Sequence, residues 1–138
     1  MSRTPVVVRT EDVTPSRRMG GAIYPLLTPA SAGTHAGFLA QAVLEPGEEI
    51  SEHYHPWTDE HVLVVAGAVE VVVDGTKLHL AAGDATYVRR GARHVMRQTG
   101  PDTARAVLFL GPLAPDPADG HVDTVPVPHP DAAPPRVG

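Results

Sequence analysis

Residues 53–61, HYHPWTDEH, contain three histidines and two acidic residues within nine positions. Imidazole nitrogens and carboxylate oxygens bind divalent transition metals, and they also act as general acids and bases. The chain has no cysteine, so any metal would have to bind to nitrogen and oxygen alone. The stretch therefore predicts a site for zinc, iron, manganese, nickel or copper rather than for calcium or magnesium.

The spacing within this stretch suggests how a site would be assembled. His53 and His55 are expected to share one face of a strand, because side chains alternate along a β-strand. Pro56 would end the regular pairing, and a turn would bring Glu60 or His61 back beside the two imidazoles. A regular strand can point only one of these last two residues inward, and having both would require a β-bulge. The two residues therefore stand as alternatives for one ligand position.

A second stretch, GDATYVRRGARH, supplies the remaining expected ligand. His94 follows a turn at Gly91 and begins a further strand, on which Met96 and Gln98 share its face. A buried amide must be hydrogen-bonded, so Gln98 is predicted to hold a water molecule or a substrate carbonyl in a catalytic role. Glu60 is the other candidate catalytic group if it does not bind the metal.

Several side chains near these ligands are candidates for substrate contact. Those predicted to bind the substrate are Trp57, Val62, Met96 and Tyr87. The alternative for Trp57 is a rim position on the sandwich, and for the others it is ordinary core or surface packing. The remaining histidines are interpreted as solvated, with a role left open for His121 in the segment GHVD: His35, His79, His121 and His129. The cluster of Arg89, Arg90 and Arg93 is interpreted as a solvated surface cluster, with a carrier-phosphate site at the pocket mouth as the alternative.

The elements that must position these residues are predicted to be β-strands. Between Phe38 and Leu110 apolar residues alternate or form short runs, which Gly or Asp-Gly interrupts about every eight to twelve residues. This pattern predicts an all-β sandwich or barrel, with a tight hairpin turn at Asp74-Gly75. Strands are expected over 37–44, 61–66, 69–73, 76–80, 84–88, 94–98 and 105–110, and in the segments PVVVRT and AIYPLL.

A chain of 138 residues is long enough for one domain with tails. Residues 1–35 are expected to form N-terminal strands and an arm, residues 36–112 the β domain, and residues 113–138 a C-terminal tail. Eight of the fifteen prolines follow Gly111, and proline cannot donate the hydrogen bonds of a sheet. The tail is therefore expected to be extended along the surface or disordered.

The charge of the chain excludes some partners. A formal net charge of −5 and a pI near 5.8, with no basic stripe, argue against a nucleic-acid or anionic-membrane partner. The first residues, MSRTPVVVRTEDV, are too charged and their apolar run too short for a signal segment or a membrane span. A cytoplasmic location is expected.

The two stretches together resemble the paired motifs of the cupin family. Positions that match the first motif are Gly47, His53, His55, Glu60 and Gly67. Positions that match the second are Gly83, Gly91 and His94, with Arg89 where proline and Gln98 where asparagine usually stands. The resemblance implies a double-stranded β-helix, or jelly roll, with a metal inside the barrel on His53, His55, Glu60 and His94. It also implies a homodimer.

A narrower resemblance is carried by EHYHPWTDEHVLVVAGAV and GPLAPDPADGHVDT. Both are similar to segments of the zinc-containing aromatic polyketide cyclases of actinomycetes, of the resistomycin and tetracenomycin cyclase type. This resemblance implies zinc, a four-histidine set that takes His61 in place of Glu60, and aldol-type cyclisation of a poly-β-ketone delivered free or on an acyl carrier protein. An Fe(II) dioxygenase and a non-catalytic cupin that binds a small molecule are the competing interpretations.

Overall fold

The computed structural model of this chain describes residues 4–138, which form two antiparallel β-sheets of five strands each. The strands are β1 Ala22–Leu27, β2 Phe38–Leu44, β3 Glu49–Tyr54, β4 Asp59–Ala66, β5 Ala68–Val73, β6 Thr76–Ala81, β7 Ala85–Val88, β8 His94–Thr99, β9 Ala104–Gly111 and β10 Val122–Asp123. Among these residues one short α-helix, α1, covers Pro29–Ala32, and two 3-10 helices cover Thr10–Asp12 and Pro117–Asp119. Sheet A has the order β1-β2-β9-β4-β7, and sheet B has the order β10-β3-β8-β5-β6. Strands distant in sequence lie side by side, so the predicted all-β jelly roll is confirmed.

Apolar side chains from both sheets form one core. On β4, Val62 and Val64 face inward and are 2% and 0% exposed, whereas Leu63 and Val65 face outward. This alternation is the two-residue period of a strand, and it places every second residue of β4 between the sheets. Members of the same cluster from other strands include Ala40, Leu44, Val69, Val71 and Leu108.

A tight turn joins β5 to β6, as predicted. Asp74 and Gly75 have φ angles of +46° and +85°, which a two-residue hairpin turn of this kind requires. The Asp74 carboxylate also accepts a hydrogen bond from the Arg93 backbone N–H at 2.9 Å and one from the Arg89 guanidinium at 2.9 Å. The turn therefore holds the loop that leads into β8, whose first residue is His94.

Of the two strands predicted in the N-terminal part of the chain, one forms and the other does not. AIYPLL forms β1, which confirms one predicted strand, but PVVVRT forms none, and its last residue, Thr10, begins a 3-10 helix at Thr10–Asp12. The free edge of β1 is occupied by an isolated bridge from Ser16 to Ile23, so no edge position is left there for PVVVRT. Val6 and Val7 are accordingly 49% and 77% exposed.

The C-terminal segment, residues 112–138, is hydrogen-bonded to the barrel along much of its length. It contains a 3-10 helix at Pro117–Asp119, and β10 pairs with β3. Backbone groups of the segment donate hydrogen bonds to β3 and to the N-terminal segment, so its path follows the surface of the barrel. Within the part of the chain that the structure describes, no helix is long and apolar enough to cross a membrane.

Candidate metal centre

A β-bulge in β3 turns His53 into the barrel. The register of β3 with β8 pairs Ile50 with Met96 and His53 with His94, so three steps along β3 correspond to two along β8. Without the extra residue, Ile50 and His53 would point to opposite faces, because their separation is odd. The bulge lets both point inward, where they are 4% and 5% exposed.

Four side chains converge at this point of the barrel. His53 lies on β3, His55 directly after it, Glu60 near the start of β4 and His94 at the start of β8. One potential ligand atom from each lies within 4.8 Å of the others. The two Glu60 carboxylate oxygens lie 3.4 Å from His55 Nε2 and 3.7 Å from His94 Nε2. Strands of both sheets therefore contribute to a single cluster.

Backbone carbonyls orient all three imidazoles of the cluster. The Nδ1–O distances are 2.7 Å for His53 to Ser51, 3.0 Å for His94 to Ala92 and 3.0 Å for His55 to Gly120. A carbonyl oxygen only accepts, so each Nδ1 carries the proton and each Nε2 keeps its lone pair.

The inward nitrogens show that the cluster fits a divalent metal ion. Nε2 of His55 and Nε2 of His94 are buried, and neither has a hydrogen-bond partner among residues 4–138. Buried polar atoms are normally paired, and lone pairs that converge on one point are satisfied by a shared metal ion. The donor set of three imidazoles and one carboxylate suits zinc, iron, manganese or nickel.

The protonation states of His53 and Glu60 agree with a ligand role. Burial, together with the neighbouring His94 and His55, holds the pKa of His53 well below its usual range, and the neutral ring is the form that binds metals. Burial disfavours the charged form of Glu60, but His55 and His94 outweigh it and lower the pKa of Glu60 to about 2. Burial also disfavours the charged form of His55. The hydrogen bond and the negative charge of Glu60 together outweigh the effect of burial, so the pKa of His55 is raised. The cluster thus holds an anionic oxygen donor at neutral pH.

His61 lies outside the cluster, which corrects the expectation that it takes the place of Glu60. β4 pairs regularly with β9 over Asp59, Glu60 and His61, and the irregularity in β4 lies further on, between Val64 and Ala66. With no bulge at residues 59–61, Glu60 points inward at 5% exposure and His61 points outward. The His61 ring instead packs on the outer face of sheet A, 5.2 Å from the ring of Tyr87.

A cavity of about 570 Å³ extends from the four-residue cluster into the barrel. Its barrel walls are apolar and include Met19, Ile23, Phe38, Ile50, Val71, Met96, Leu108 and Leu110. A volume of this size is in the range of sites for small organic ligands. The cavity therefore joins a candidate metal site to a space with mainly apolar walls.

The four residues predicted to contact a substrate lie in different environments in this structure. Met96 lines the cavity, and its contact with a substrate stays a prediction. Val62 is buried in the core and lies outside the cavity lining, so its side chain supports the wall without forming it. Trp57 and Tyr87 are 47% and 53% exposed and face solvent, which corrects their predicted role.

Gln98 does not line the cavity, which corrects its predicted catalytic role. Its amide nitrogen donates to the carbonyls of Gly100 and Asp102 at 2.8 Å and 2.7 Å. Its amide oxygen accepts from the Gly47 N–H at 3.2 Å. The amide is therefore used to hold two loops together at the end of β8 that is remote from His94.

His121 lines the cavity beside the cluster, although it had been interpreted as a solvated residue of the tail. Its ring stacks on that of His53 with 4.6 Å between centroids, and its Nε2 lies 2.6 Å from Asp123 Oδ1. Burial lowers the pKa of His121 in spite of this acidic partner. The only signal in the sequence was the segment GHVD, whose spacing does not reveal that β10 folds back against β3.

Comparison with known proteins agrees with this arrangement. The family model described as a Cupin domain matches residues 40–110, which is about half of the chain. This protein belongs to the cupin family. The matched residues contain all four members of the candidate metal cluster, and they end before the C-terminal segment that carries His121.

Two curated cupin relatives come from Streptomyces. The chain is 46% identical over 131 residues, 95% of its own length and 88% of the relative's, to the tetracenomycin polyketide synthase protein TcmJ of Streptomyces glaucescens. It is 50% identical over 118 residues, 86% of each chain, to protein SchB of Streptomyces halstedii. The structure also resembles that of the polyketide cyclase RemF from Streptomyces resistomycificus, with a TM-score of 0.72, 17% identity and coverage of 92% of this chain and 90% of that one. At this identity the last likeness shows the cupin fold alone.

Substitution of His94 by alanine is expected to abolish stoichiometric metal binding, whereas His61→Ala is expected to retain it. His94 supplies a buried Nε2 to the cluster and His61 faces away from it. Elemental analysis of tag-free protein by mass spectrometry measures the metal content, and circular dichroism confirms that each variant folds. A chelator should lower the melting temperature of the wild type and of His61→Ala but not of His94→Ala. Equal metal content in the two variants would contradict the assignment.

Proposed function

We propose that His53, His55, Glu60 and His94 bind a divalent transition metal, zinc before iron, manganese or nickel. The support is the set of four ligand atoms within 4.8 Å of one another and the two buried nitrogens without a hydrogen-bond partner in the described chain. A metal bound there would supply a Lewis acid that polarises a carbonyl oxygen of the substrate.

We propose further that the protein catalyses aldol-type cyclisation and aromatisation of a poly-β-ketone in aromatic polyketide biosynthesis. The observation that carries this proposal is an apolar cavity of about 570 Å³ that ends at the metal cluster. Similarity over 95% of the chain to a tetracenomycin polyketide synthase protein supports the same class of substrate. A flexible chain of alternating ketones needs both features, because a wall must fold the chain and an electrophile must activate one carbonyl.

The chain's own residues have two tasks in such a reaction. Apolar walls, including Phe38 and Leu108, exclude water and bring a methylene carbon close to the carbonyl carbon that it attacks. In the aldol step the methylene loses a proton and its carbon attacks the carbonyl carbon, so that the C=O π bond opens and the oxygen takes up a proton. Dehydration then removes this hydroxyl and a proton from the adjacent carbon as one water. His121 Nε2–H donates to Asp123 Oδ1 at 2.6 Å, which leaves His121 Nδ1 as the nitrogen that accepts the methylene proton.

Cyclisation is expected to fail in a His53→Ala variant and to continue in a His61→Ala variant. A reconstituted minimal polyketide synthase that makes an unreduced poly-β-ketone provides the substrate, and liquid chromatography with mass spectrometry identifies the products. The wild type should convert the spontaneous product mixture into one dominant cyclised product, at a rate at least a hundredfold above that of His53→Ala, since loss of electrostatic stabilisation has effects of about this size. An unchanged product mixture with the metal-loaded wild type would refute the proposal.

The same reaction mixtures separate the competing functions. Stoichiometric oxygen consumption with an enol substrate would indicate an Fe(II) dioxygenase on the same ligands. Tight binding of the ketone without turnover would indicate a non-catalytic binding protein. Either outcome replaces the cyclase proposal, because neither yields the water and the new ring that an aldol condensation requires.

Delivery of the substrate by an acyl carrier protein stays a prediction. The arginines near the β7–β8 loop offer weak support for a carrier phosphate site, because they already have acidic partners. Arg89 lies 2.9 Å from Asp74, and Arg90 lies 3.2 Å from Asp59. The cyclisation assay is therefore run with both carrier-bound and free chains.

We propose a homodimer that forms through the outer face of sheet A. Large apolar side chains are exposed there on three neighbouring strands: Leu63 41%, Val65 45%, Tyr87 53% and Phe109 36%. The solvent side of an antiparallel sheet is normally polar, and a contiguous apolar patch marks an interaction site. A second copy would cover the patch by packing the same face against it about a twofold axis.

Leu63→Glu is expected to produce a monomer in sedimentation velocity experiments at micromolar concentration. A carboxylate in the centre of the patch would have to be buried without a partner, at a cost of several kcal/mol. Val125→Glu is the matched control, because Val125 is equally exposed at 41% but lies on the C-terminal segment. A monomeric wild type, or equal sedimentation of the wild type and Leu63→Glu, would exclude this interface.

A further inference from the structure

The C-terminal segment forms one side of the metal cavity, opposite the apolar barrel walls. Its residues that line the cavity are Leu113, Ala114, Pro117, Ala118, Gly120, His121, Asp123, Pro134, Pro135, Val137 and Gly138. The segment is thin, because Ala118 and Asp123 are exposed to solvent although both also line the cavity. A single layer of chain therefore separates a bound molecule from solvent on this side.

Hydrogen bonds anchor the segment near its start and its middle. Thr58 Oγ1 donates to the Pro112 carbonyl at 2.7 Å, directly after β9. Further along, the Thr124 N–H and hydroxyl donate to the carbonyl and the side chain of Glu52, at 3.2 Å and 2.7 Å. These contacts hold the segment against the β3–β4 loop before the turn that contains Gly120, and against β3 after it.

A second group of contacts holds the end of the segment against the N-terminal part of the chain. Ser16 Oγ donates to the Ala133 carbonyl at 2.6 Å, and the Arg18 guanidinium donates to the Pro130 carbonyl at 2.7 Å. Arg18 also lies 3.8 Å from the Asp123 carboxylate. Because the segment is hydrogen-bonded at several points along its length, it forms a fixed wall of the cavity and not a mobile lid.

The segment also touches the metal cluster through His55. The Nδ1 protons of His53 and His94 are bonded to carbonyls two residues away on the same stretch of chain, so their orientation is local. His55 differs, because its Nδ1–H donates at 3.0 Å to Gly120, which is 65 residues further along the chain. A histidine ligand depends on this outer hydrogen bond for its tautomer and its ring orientation.

We infer that the C-terminal segment determines which substrates reach the metal and that the Gly120 carbonyl positions His55 as a ligand. The first part deepens the proposed function and rests on it, since the molecules to be selected are β-dicarbonyl compounds that differ in the number of fused rings. The second part, the positioning of His55 by Gly120, does not depend on the proposed function, because it concerns only contacts within the chain. Together they make residues 112–138 a functional part of the site, although they lie beyond the matched cupin domain.

Asp116→Ala tests the positioning of His55. The Asp116 side chain accepts a hydrogen bond from the Ala118 N–H at 2.9 Å and caps the 3-10 helix whose last residue precedes Gly120. Loss of the cap should shift the Gly120 carbonyl and weaken zinc affinity about tenfold in competition with a fluorescent chelator. Asp119→Ala is the matched control, because it removes an equal charge from the same turn without removing the cap.

A spectroscopic measurement separates positioning from a general loss of stability. Nitrogen NMR of ¹⁵N-histidine-labelled protein reports which ring nitrogen of His55 carries the proton. Asp116→Ala should mix the two His55 tautomers and leave those of His53 and His94 unchanged. Equal zinc affinities and equal His55 spectra in the Asp116 and Asp119 variants would overturn the assignment to Gly120.

Ala118→Phe tests the selection of substrates by size. Two probes share a metal-chelating group, a carbonyl with a hydroxyl on its β carbon: the enol of pentane-2,4-dione is small, and 1,8-dihydroxyanthraquinone has three fused rings. With zinc-loaded full-length protein, the substitution should weaken binding of the three-ring probe at least tenfold and leave that of pentane-2,4-dione unchanged. Ala132→Phe is the control, because Ala132 belongs to the same segment but does not line the cavity.

The outcomes distinguish this inference from the proposed function. If Ala118→Phe weakens both probes equally, or neither, the segment does not select by size. If the probes are selected as expected but the wild type cyclises no ketone, the wall is established and only the cyclase proposal fails. If cyclisation proceeds and the size selection is missing, the inference fails by itself.

Discussion

The burial of unpaired nitrogen lone pairs beside a buried carboxylate is the constraint on which the rest of this structure depends. Burying an ionised carboxylate costs several kcal/mol unless charges or hydrogen bonds offset the cost. Here the Glu60 oxygens lie within 3.7 Å of two imidazole Nε2 atoms that have no hydrogen-bond partner in the described residues. Backbone carbonyls already bind the outer nitrogens, so the cluster is complete except at its centre. A divalent cation at that point would satisfy every group at once.

The register of the paired strands determines which side chains point into the barrel and form this cluster. A bulge in β3 turns His53 inward, and the regular pairing of β4 with β9 turns Glu60 inward and His61 outward. A shift of one residue on either strand would exchange these positions, because the side-chain period of a strand is two. The ligands thus depend on hydrogen bonds far from the site, including the amide of Gln98, which holds two loops at the other end of β8.

The C-terminal segment connects the cluster to the cavity. It brings His121 against His53 and the Gly120 carbonyl against His55, and its other residues close the side of the cavity that the barrel leaves open. Local sequence cannot produce this arrangement, since a proline-rich segment has little regular structure of its own. Its path is determined by the barrel groups to which it is hydrogen-bonded.

The sequence by itself determined most of the strands, the Asp74-Gly75 turn and the identity of His53, His55 and His94 as members of one cluster. The strands and the turn follow from local periodicity and turn chemistry, which neighbouring residues express without help from distant ones. The three histidines follow from the resemblance of two separated stretches to the paired cupin motifs. The choice of Glu60 over His61, the outward position of Trp57 and Tyr87, and the inclusion of His121 were decided by the tertiary structure. Each of these depends on strand register or on contacts between residues far apart in the chain, and such long-range pairing leaves no periodic signal in a single sequence.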